Sequence, residues 1–309
     1  MSGRVSIIVL NWNGLEDTIE CLESLKRITY PEYEVIVVDN GSRGDDARVL
    51  EEKFGDHIRL IRNDKNYGYA GGNNIGIRYA LENCAPDFVL VLNNDTTVAP
   101  DSLDHLISAA ESDATTGIVG PRVYYHSFPD RIYAAGGRVS MRTGQTFHIG
   151  MKETDRGQYG TRQEVDYVPG CCLLIRRAVI EQVGLLDESY FCYWEETDYC
   201  FRAREAGYKI VYVPEARIWH KAPVILKAWQ KTPADGRESA VYHYYMIRNT
   251  FKFMRRHATK AQYRTLLLHL FAYRLWYRTA VCLLYHRDPG LLLAFYRGVR
   301  DGLVGRWGE

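Results

Sequence analysis

The segment FVLVLNNDTT, residues 88–97, sets an apolar run directly before a cluster of polar side chains. A short apolar run of this kind is typical of a strand that is buried on both faces of a parallel sheet. Asn93, Asn94 and Asp95 would then lie just beyond the carboxyl end of the strand, where open α/β sheets bind their ligands. A lone Asp after a strand is as commonly a turn or helix-capping residue, so the neighbouring segments must distinguish the two interpretations.

Three earlier segments repeat the order of strand, polar loop and helix. Residues 5–10, 33–38 and 58–61 are candidate strands, and apolar residues at helical spacing follow the first of them. This alternation predicts an α/β fold with a mostly parallel central sheet flanked by helices through right-handed crossovers. Polar residues follow the candidate strands at the predicted ligand-binding edge: Asn11, Asn13, Asp39, Asn40 and Asn66.

The glycine-rich segment 68–76 is a candidate phosphate-binding element. Gly68 and Gly72 permit close backbone approach, and a helix that starts near Asn73 would direct free N–H groups toward a diphosphate. The spacing matches neither the dinucleotide-binding pattern GxGxxG nor a P-loop, and a plain tight turn explains the same residues. Asp39 also has two interpretations, as a turn residue or as an acceptor for a pyrimidine N–H or ribose hydroxyls.

A second polar cluster is YFCYWEETD, which ends at Asp198. With Glu195 and Glu196 it would open a helix, where acidic residues are often favoured by the helix dipole alone. The aromatic residues before these carboxylates would also form a partly dry wall, which raises a carboxyl pKa toward the range of a general base. Tyr193 or Trp194 could lie against the apolar face of a sugar ring.

Two single residues are further candidates for the site. Gly170, in the run VDYVPGCCLLI, is small enough to leave room for a ligand at the floor of a pocket, although tight packing explains it equally well. His220 follows a strand-like stretch, where it would be either a metal ligand or an ordinary surface histidine.

Composition indicates a globular protein, with 46% hydrophobic and 25% charged residues in 309. No basic and apolar leader precedes the first candidate strand, and the 7 cysteines form neither a disulfide framework nor a zinc pattern. We therefore expect a cytoplasmic protein, and no nucleic-acid partner.

Charge is divided unevenly along the chain. From Arg237 onward there are 13 Lys and Arg against 4 Asp and Glu, and subtraction from the totals of 39 and 38 leaves 26 against 34 in residues 1–236. This asymmetry indicates an acidic front and a tail that meets an anionic surface. Two interpretations stay open for the tail: its helices pack on the protein, including a homodimer, or they lie peripherally in the interface of an anionic membrane.

In combination, these motifs resemble the family 2 glycosyltransferases and, more narrowly, their rhamnosyltransferase-like bacterial branch. Several motifs in one order, over roughly residues 5–255, are more specific than any one of them. The matching segments are VSIIVLNWNG (5–14), VIVVDNGS (35–42), NYGYAGGNNIGI (66–77), VLVLNNDT (90–97), VDYVPGCCLLIRR (165–177), YFCYWEETDYCFR (190–202), His220 and YYMIRNTFKF (244–253).

The resemblance implies a GT-A fold and a nucleoside diphosphate sugar donor, dTDP-rhamnose in this branch. The acceptor would be a saccharide or a polyprenyl-linked saccharide, held at the inner face of the cell membrane. Residues 1–236 would form the catalytic domain, with a nucleotide-binding half at about 1–100 and an acceptor half at about 101–236, and residues 237–309 a helical extension.

The resemblance also assigns the chemistry. The usual Asp-x-Asp motif stands here as Asn93-Asn94-Asp95, so Asp95 would hold a divalent cation, Mg²⁺ or Mn²⁺, with His220 as a further ligand. Glu196 would be the general base, and a single base implies one displacement with inversion. Glu195 and Asp198 would support it, and their roles are exchangeable with that of Glu196.

The remaining site residues follow from the same resemblance. Those expected at the donor nucleotide are Asn11, Asn13, Asp39, Asn40, Asn66, Gly68, Gly72, Asn73, Asn93 and Asn94. Those expected at the acceptor or the transferred sugar are Tyr193, Trp194 and Gly170.

Two other functions share parts of this pattern. A nucleotidyltransferase would use the same sheet and cation, but it would need basic residues for a triphosphate in the loop after the first strand, which reads NWNGLED here. A non-catalytic sugar-nucleotide-binding protein stays open because Asn-Asn-Asp and Glu-Glu depart from the usual acidic motifs.

Overall fold

The computed structural model describes residues 3–221 and 240–307. They form two compact units. The first contains residues 3–138, 148–191 and 195–221, and the second contains residues 139–147, 192–194 and 240–307. The predicted domain boundary after residue 236 lies outside the described residues and stays a prediction.

A large mixed sheet forms the centre of the first unit. Its strands are β1 (Val5–Asn11), β2 (Tyr33–Asp39), β3 (Arg59–Arg62), β4 (Phe88–Asn93), β5 (Thr96–Val98), β6 (Thr116–Tyr125), β7 (Phe128–Ala134), β10 (Gln163–Glu164), β11 (Cys172–Arg176) and β12 (Lys209–His220), while β8 (Gly137–Ser140) and β9 (Gln145–His148) pair separately. The helices of this unit are α1 (Leu15–Leu25), α2 (Asp46–Phe54), α3 (Gly68–Asn83), α4 (Ser102–Glu111), α5 (Arg177–Val183) and α6 (Glu195–Glu205).

The strands follow the order β10-β12-β6-β11-β4-β1-β2-β3, with β5 beside β12 and β7 beside β6. Strands β3, β2, β1 and β4 are parallel, and one helix connects each to the next along the chain. The predicted α/β fold with a large central sheet is confirmed. The other half is mixed, because β11 runs antiparallel to both β4 and β6 whereas β12 runs parallel to β6.

Burial explains why the apolar runs form these strands. Ile7, Ile8 and Val9 are consecutive and fully buried, so β1 has helices or strands against both of its faces. A strand that is covered on both sides reads as a continuous apolar run rather than as an alternating one. By contrast, β3 is the edge strand of the sheet and carries Arg59 and Arg62 at its exposed ends.

The glycine-rich segment is helical from its first glycine. α3 begins at Gly68, so the predicted start near Asn73 is wrong by about a turn and a half. The first turn forms because Phe191 supplies an acceptor: its carbonyl accepts the Tyr69 N–H at 2.7 Å and the Ala70 N–H at 3.4 Å. These N–H groups are therefore engaged by the protein, and the prediction that they lie free for a diphosphate is corrected.

The second half of the first unit brings distant segments together. β6 and β7 form an antiparallel pair. β12 runs parallel to β6 and antiparallel to the short strand β5, and this pairing places His220 opposite Thr96.

A buried ion pair fixes the start of α6. Asp198 has no exposed surface, and its carboxylate accepts from Arg202 Nε at 2.8 Å and from the Tyr190 hydroxyl at 3.2 Å. Arg202 also donates to the carbonyls of Val183 and Leu185, at 3.1 and 2.9 Å. One guanidinium thus joins α6 to the loop that precedes it.

The second unit is mainly helical, and the predicted C-terminal helical region is confirmed. Its helices are α7 (Ala240–His257), α8 (Lys260–His269), α9 (Leu275–Ala280) and α10 (Pro289–Val304), with π-helical turns at Leu270–Arg274 and Val281–Tyr285. α10 approaches α7 closely at Gly302, where an added Cβ would lie 2.3 Å from the Phe251 ring. In the described ranges, no helix is both long and apolar enough to cross a membrane.

Replacing Arg202 with Ala is expected to lower the free energy of unfolding by about 3–5 kcal/mol, since it leaves the Asp198 carboxylate buried without its counter-charge. Arg204→Ala is the matched control on the same helix. Arg204 is 44% exposed and pairs with Asp166 at 3.1 Å, so its loss should change the free energy by only about 0–1 kcal/mol. Urea denaturation measures both variants, and equal small losses would contradict the structural role of Arg202.

Candidate active site

The carboxyl ends of the parallel strands carry a connected polar network. Strand register puts Asn11 beside Asp39 and places Asn93 beside Leu10. Asn11 Nδ2 donates to Asp39 Oδ1 at 2.8 Å and to Asp46 Oδ2 at 3.0 Å, and all three side chains are buried. The predicted gathering of polar residues at this edge is therefore present in the structure.

Asp39 is held firmly by the turn that follows β2. Its Oδ1 accepts from the Ser42 hydroxyl at 2.5 Å, and its Oδ2 accepts from the Ser42 N–H at 3.4 Å. Asn13 joins the same turn, since its N–H donates to Ser42 Oγ at 2.9 Å and its Oδ1 accepts from the Arg43 N–H at 2.8 Å. Asp39 is thus a turn residue, and its role as a nucleotide contact stays a prediction.

Asn40 holds the start of α3 against β1. Its Nδ2 donates to Asn66 Oδ1 at 2.9 Å and to the Gly68 carbonyl at 3.1 Å. Gly72 is required beside it, because an added Cβ would lie 2.5 Å from Leu10 Cδ1 and 3.0 Å from Asn40 Nδ2. The glycines of this segment let the helix pack closely at the same edge of the sheet.

The three remaining asparagines of the predicted set lie in different surroundings. Asn93 ends β4 and is half-buried, and Asn94 Nδ2 donates to Thr18 Oγ1 at 2.9 Å, which ties it to α1. Asn73 is fully buried inside α3, where its Nδ2 donates to the Tyr69 carbonyl at 2.9 Å. Asn93 and Asn94 thus belong to the strand-end cluster, whereas Asn73 faces the interior.

Asp95 and His220 meet although they are far apart in the chain. Because β5 pairs with the end of β12, His220 Nε2 lies 3.1 Å from Asp95 Oδ1, and the Lys221 N–H donates to the Asp95 carbonyl at 3.0 Å. Burial opposes ionisation of Asp95, but the charge and the hydrogen bond of His220 outweigh it, so the pKa of Asp95 is lowered.

These two residues are suitable ligands for a divalent cation. A carboxylate oxygen and an imidazole nitrogen on one small surface match the donor types that Mn²⁺ accepts, whereas Mg²⁺ prefers oxygen alone. His220 Nδ1 is buried and has no hydrogen-bond partner among the described residues. The described part of the chain contains no group of three or more His, Cys, Asp or Glu side chains that could hold a metal.

Two residues that the sequence did not suggest stand beside this pair. The ring of Tyr133 makes edge contacts with His220, at 5.1 Å between centroids, and with His148, at 4.7 Å. Burial and the charge of His220 lower the pKa of His148 to about 4, so it is neutral at physiological pH. The only sequence signal for them was the aromatic, alternating character of residues 117–160, which does not identify individual residues.

Glu195 and Glu196 open α6 as adjacent carboxylates with different exposure. Glu195 is 5% exposed, and burial together with the charge of Glu196 raises its pKa well above the ordinary value. Glu196 is half-buried, and its pKa is raised chiefly by burial. A Cβ added to Gly170 would lie 3.4 Å from Glu196 Cγ and 3.3 Å from the Tyr69 hydroxyl, so the absence of a side chain at Gly170 leaves space next to Glu196.

Asp198, the third carboxylate of the cluster, points elsewhere. Its contact with Arg202 and its full burial put it in the support of α6 rather than beside open space. The predicted supporting role, holding the loop, is the one that agrees with this geometry.

The residues just before Glu195 belong to the second unit. Tyr193 and Trp194 have positive φ angles of 66° and 77°, and Trp194 is only 3% exposed, with its ring 4.8 Å from that of Phe253. Asn249 holds this segment, because its Nδ2 donates to the carbonyls of Cys192 and Tyr193 at 2.9 and 2.8 Å. Asn249 lies in YYMIRNTFKF, which the sequence matched to a family motif without assigning a role.

Comparison with known proteins agrees with this architecture. A mannosyltransferase from Pyrobaculum calidifontis, solved in complex with GDP-Man and Mn²⁺, superposes with a TM-score of 0.56 and 15% identity over 99% of this chain and 88% of its own. At that identity, the likeness establishes the fold alone, which is the predicted GT-A type.

Sequence comparison identifies the family. The family model for Glycosyl transferase family 2 matches residues 6–184. The low-salt glycan biosynthesis hexosyltransferase of Haloferax volcanii is 31% identical over 225 residues, which are 72% of this chain and 69% of the relative. The N-acetylglucosaminyl-diphospho-decaprenol L-rhamnosyltransferase of Mycobacterium tuberculosis is 30% identical over 252 residues, 75% of this chain and 78% of the relative. The chain therefore belongs to glycosyl transferase family 2, with rhamnosyltransferases among its relatives, and is a glycosyltransferase, as its motifs predicted.

Proposed function

We propose that this glycosyltransferase moves L-rhamnose from dTDP-rhamnose to a saccharide acceptor, lipid-linked in the cell, by a single displacement with inversion. The observation that supports it best is the composition of one site in the first unit: a polar strand edge, the Asp95–His220 pair, and a carboxylate of raised pKa next to a glycine. The choice of rhamnose rests on the resemblance to the rhamnosyltransferase-like branch and on the relative from Mycobacterium tuberculosis.

The donor nucleotide would lie at the carboxyl ends of β1 and β2. Asp39 is oriented by Asn11 and Ser42, so its carboxylate can accept from the N–H of the pyrimidine or from the sugar hydroxyls. The first-turn N–H groups at Tyr69 and Ala70 already donate to Phe191, so Gly68 and Gly72 would serve by permitting close approach rather than by direct phosphate binding.

Asp95 and His220 would hold the divalent cation, with Asn93 nearby as a polar contact. The bound ion would neutralise the charge of the diphosphate leaving group. Lys221 follows directly, but its ammonium pairs with Asp17 at 2.5 Å and Glu20 at 2.6 Å. That pairing leaves the cation as the main positive charge for the diphosphate.

Glu196 would act as the general base. Two adjacent carboxyl groups in a buried site do not ionise together readily, so the deeper Glu195 keeps its proton while the more exposed Glu196 is ionised. Glu196 then accepts the proton of the acceptor hydroxyl as that oxygen attacks the anomeric carbon from the face opposite the leaving group. No second nucleophilic carboxylate is needed, and the configuration inverts.

On the acceptor side, Tyr193 is a better candidate for sugar contact than Trp194, because Trp194 is packed on Phe253 whereas Tyr193 is half-buried. We assign residues 1–236 to catalysis and residues 237–309 to a helical extension, and we expect the enzyme to work in the cytoplasm at the inner face of the membrane.

The donor assignment is tested by thermal denaturation with dTDP-rhamnose, UDP-N-acetylglucosamine and GDP-mannose in the presence of Mn²⁺. A ligand at about 100 times its Kd stabilises the native state by about 2.7 kcal/mol, so dTDP-rhamnose should raise Tm most. A larger rise in Tm with one of the other two donors would contradict the assignment of dTDP-rhamnose as the donor. Absence of a shift with all three would count against the nucleotide site itself.

Asp95→Asn is expected to abolish transfer and to weaken Mn²⁺ binding while the protein stays folded, because an amide is a poorer cation ligand than a carboxylate. Wild type in excess EDTA should lose activity and recover it with Mn²⁺ more fully than with Mg²⁺. Asp56→Asn, at an exposed carboxylate, is the control. Near-normal turnover in EDTA or in Asp95→Asn would disprove the cation assignment.

Glu196→Gln should lower kcat by about 10²–10⁴-fold with little change in donor affinity, since it keeps the shape and removes the base. The wild-type rate should rise with pH as Glu196 loses its proton, at a pH above that of an ordinary glutamate because its pKa is raised, and this limb should vanish in the variant. Glu195→Gln is the matched control. It replaces a protonated group with a neutral one, so it should keep most activity, and the reverse ranking would make Glu195 the base.

A further inference from the structure

Exposed apolar side chains are concentrated in one part of the second unit. The extension face consists of eight exposed side chains on α8, α9 and the two π turns: Leu268, Phe271, Tyr273, Trp276, Tyr277, Leu283, Leu284 and Tyr285. Trp276, Leu284 and Tyr285 are 71%, 76% and 79% exposed. A cluster of exposed apolar side chains on a folded protein ordinarily marks a docking site.

The helix geometry keeps these residues on a shared side. Leu268, Trp276 and Leu284 are spaced by eight residues, and Ala272 and Ala280 between them are also exposed, so every fourth residue is open to solvent. In a regular α-helix, such a row drifts around the axis. The π turns hold more residues each and reduce that drift, since their hydrogen bonds run from i to i+5. Tyr273 and Tyr277 stack at 5.6 Å.

The segment that carries the extension face is strongly basic. Residues 258–300 contain 7 Lys and Arg and a single acid, Asp288. Asp288 is used within the fold, where its carboxylate accepts from the Gly290 N–H at 2.8 Å and caps α10. The apolar side chains are therefore accompanied by positive charge.

Arg264 carries one of these charges on the exposed side. It is exposed and lies four residues before Leu268, so the two side chains share one face of α8. Arg274, by contrast, lies in line with Leu270 and Cys282, which have no exposed surface, and its Nη1 is buried.

We infer that the extension face docks on an anionic phospholipid bilayer, with its aromatic and leucine side chains in the interface and exposed basic residues such as Arg264 at the headgroups. The combination of Trp, Tyr and Leu with Arg is the one that interfacial helices use. Docking of this kind does not depend on which sugar the enzyme transfers.

A second copy of the chain fits this surface less well. In a two-fold dimer the same patch meets itself, which would bring the arginines of one copy against those of the other. Like charges across an interface are unfavourable, whereas an anionic membrane compensates all of them at once.

The test is cosedimentation of the full chain with vesicles of phosphatidylcholine alone and of phosphatidylcholine with phosphatidylglycerol, at low and high salt. The chain should bind the anionic vesicles, and high salt should weaken that binding. The double variant Trp276→Ser and Leu284→Ser should bind at least about tenfold more weakly, because two interfacial side chains are lost. Arg264→Gln should bind the anionic vesicles about fivefold more weakly, or ~1 kcal/mol.

Matched controls separate this surface from general effects. Phe147 is 52% exposed outside the extension face, so Phe147→Ser should bind like wild type, and so should Arg156→Gln at an exposed arginine. Circular dichroism checks that each variant is folded. Donor hydrolysis without vesicles should be unchanged in all of them, so loss of docking and loss of catalysis are read separately.

Three results would overturn the inference. The full chain fails to bind anionic vesicles, or the double variant binds as tightly as wild type, or Arg264→Gln weakens binding no more than Arg156→Gln. Sedimentation velocity adds the competing outcome: a dimer of the wild type that dissociates in the double variant, without vesicle binding, would assign the face to a second copy.

Discussion

The hydrogen bonding of β4 on both of its edges is the constraint on which the site depends. β1 pairs with β4 in parallel and β11 pairs with it in antiparallel, and its side chains from Phe88 to Leu92 are buried. A polar side chain within such a strand would need a buried partner, so polar residues begin only where the strand ends, at Asn93. β1 and β2 end beside it at Asn11 and Asp39, and the buried polar residue within β1, Ser6, has the partner that burial requires, since its hydroxyl donates to Glu34 at 2.8 Å. The candidate site residues are therefore concentrated at the edge where the strands end.

Features that rest on local sequence order were predictable, and those that rest on distant partners were not. Apolar runs and the polar residues after them identified the parallel half of the fold, since strand and helix periodicity are local properties. The start of α3 at Gly68 depends on the carbonyl of Phe191, which the local pattern does not contain. Asp95 and His220 were both named, yet their contact arises from the pairing of a three-residue strand with the end of β12. His148 was not predicted, because its contact with Tyr133 depends on tertiary packing alone.

The backbone conformation and the adjacent carboxyl groups at the start of α6 each destabilise the folded state. Phe191, Tyr193 and Trp194 have positive φ angles, a conformation that costs about 1–3 kcal/mol for each non-glycine residue. Glu195 and Glu196 then place two carboxyl groups with raised pKa values side by side. Such features persist only where the surroundings hold them, and here the ion pair of Asp198 and Arg202 anchors the helix that begins with the two glutamates. Strain and desolvated charge tend to cluster at functional sites, and their presence in these six consecutive residues supports the proposed role of Glu196.

The pairing of Asp95 with His220 also bears on how a cation and a donor would bind. A divalent ion held by one carboxylate and one imidazole keeps most of its coordination positions for other ligands, and phosphate oxygens fill such positions in many nucleotide enzymes. Cation and nucleoside diphosphate sugar would then strengthen each other's binding, because the cation supplies positive charge to the diphosphate and the diphosphate supplies oxygen ligands to the cation. Asp95 Oδ1 and His220 Nε2 contact one another at 3.1 Å, so an ion must compete for the same two atoms. Binding of the ion would therefore replace the contact between these two side chains with two bonds to the metal.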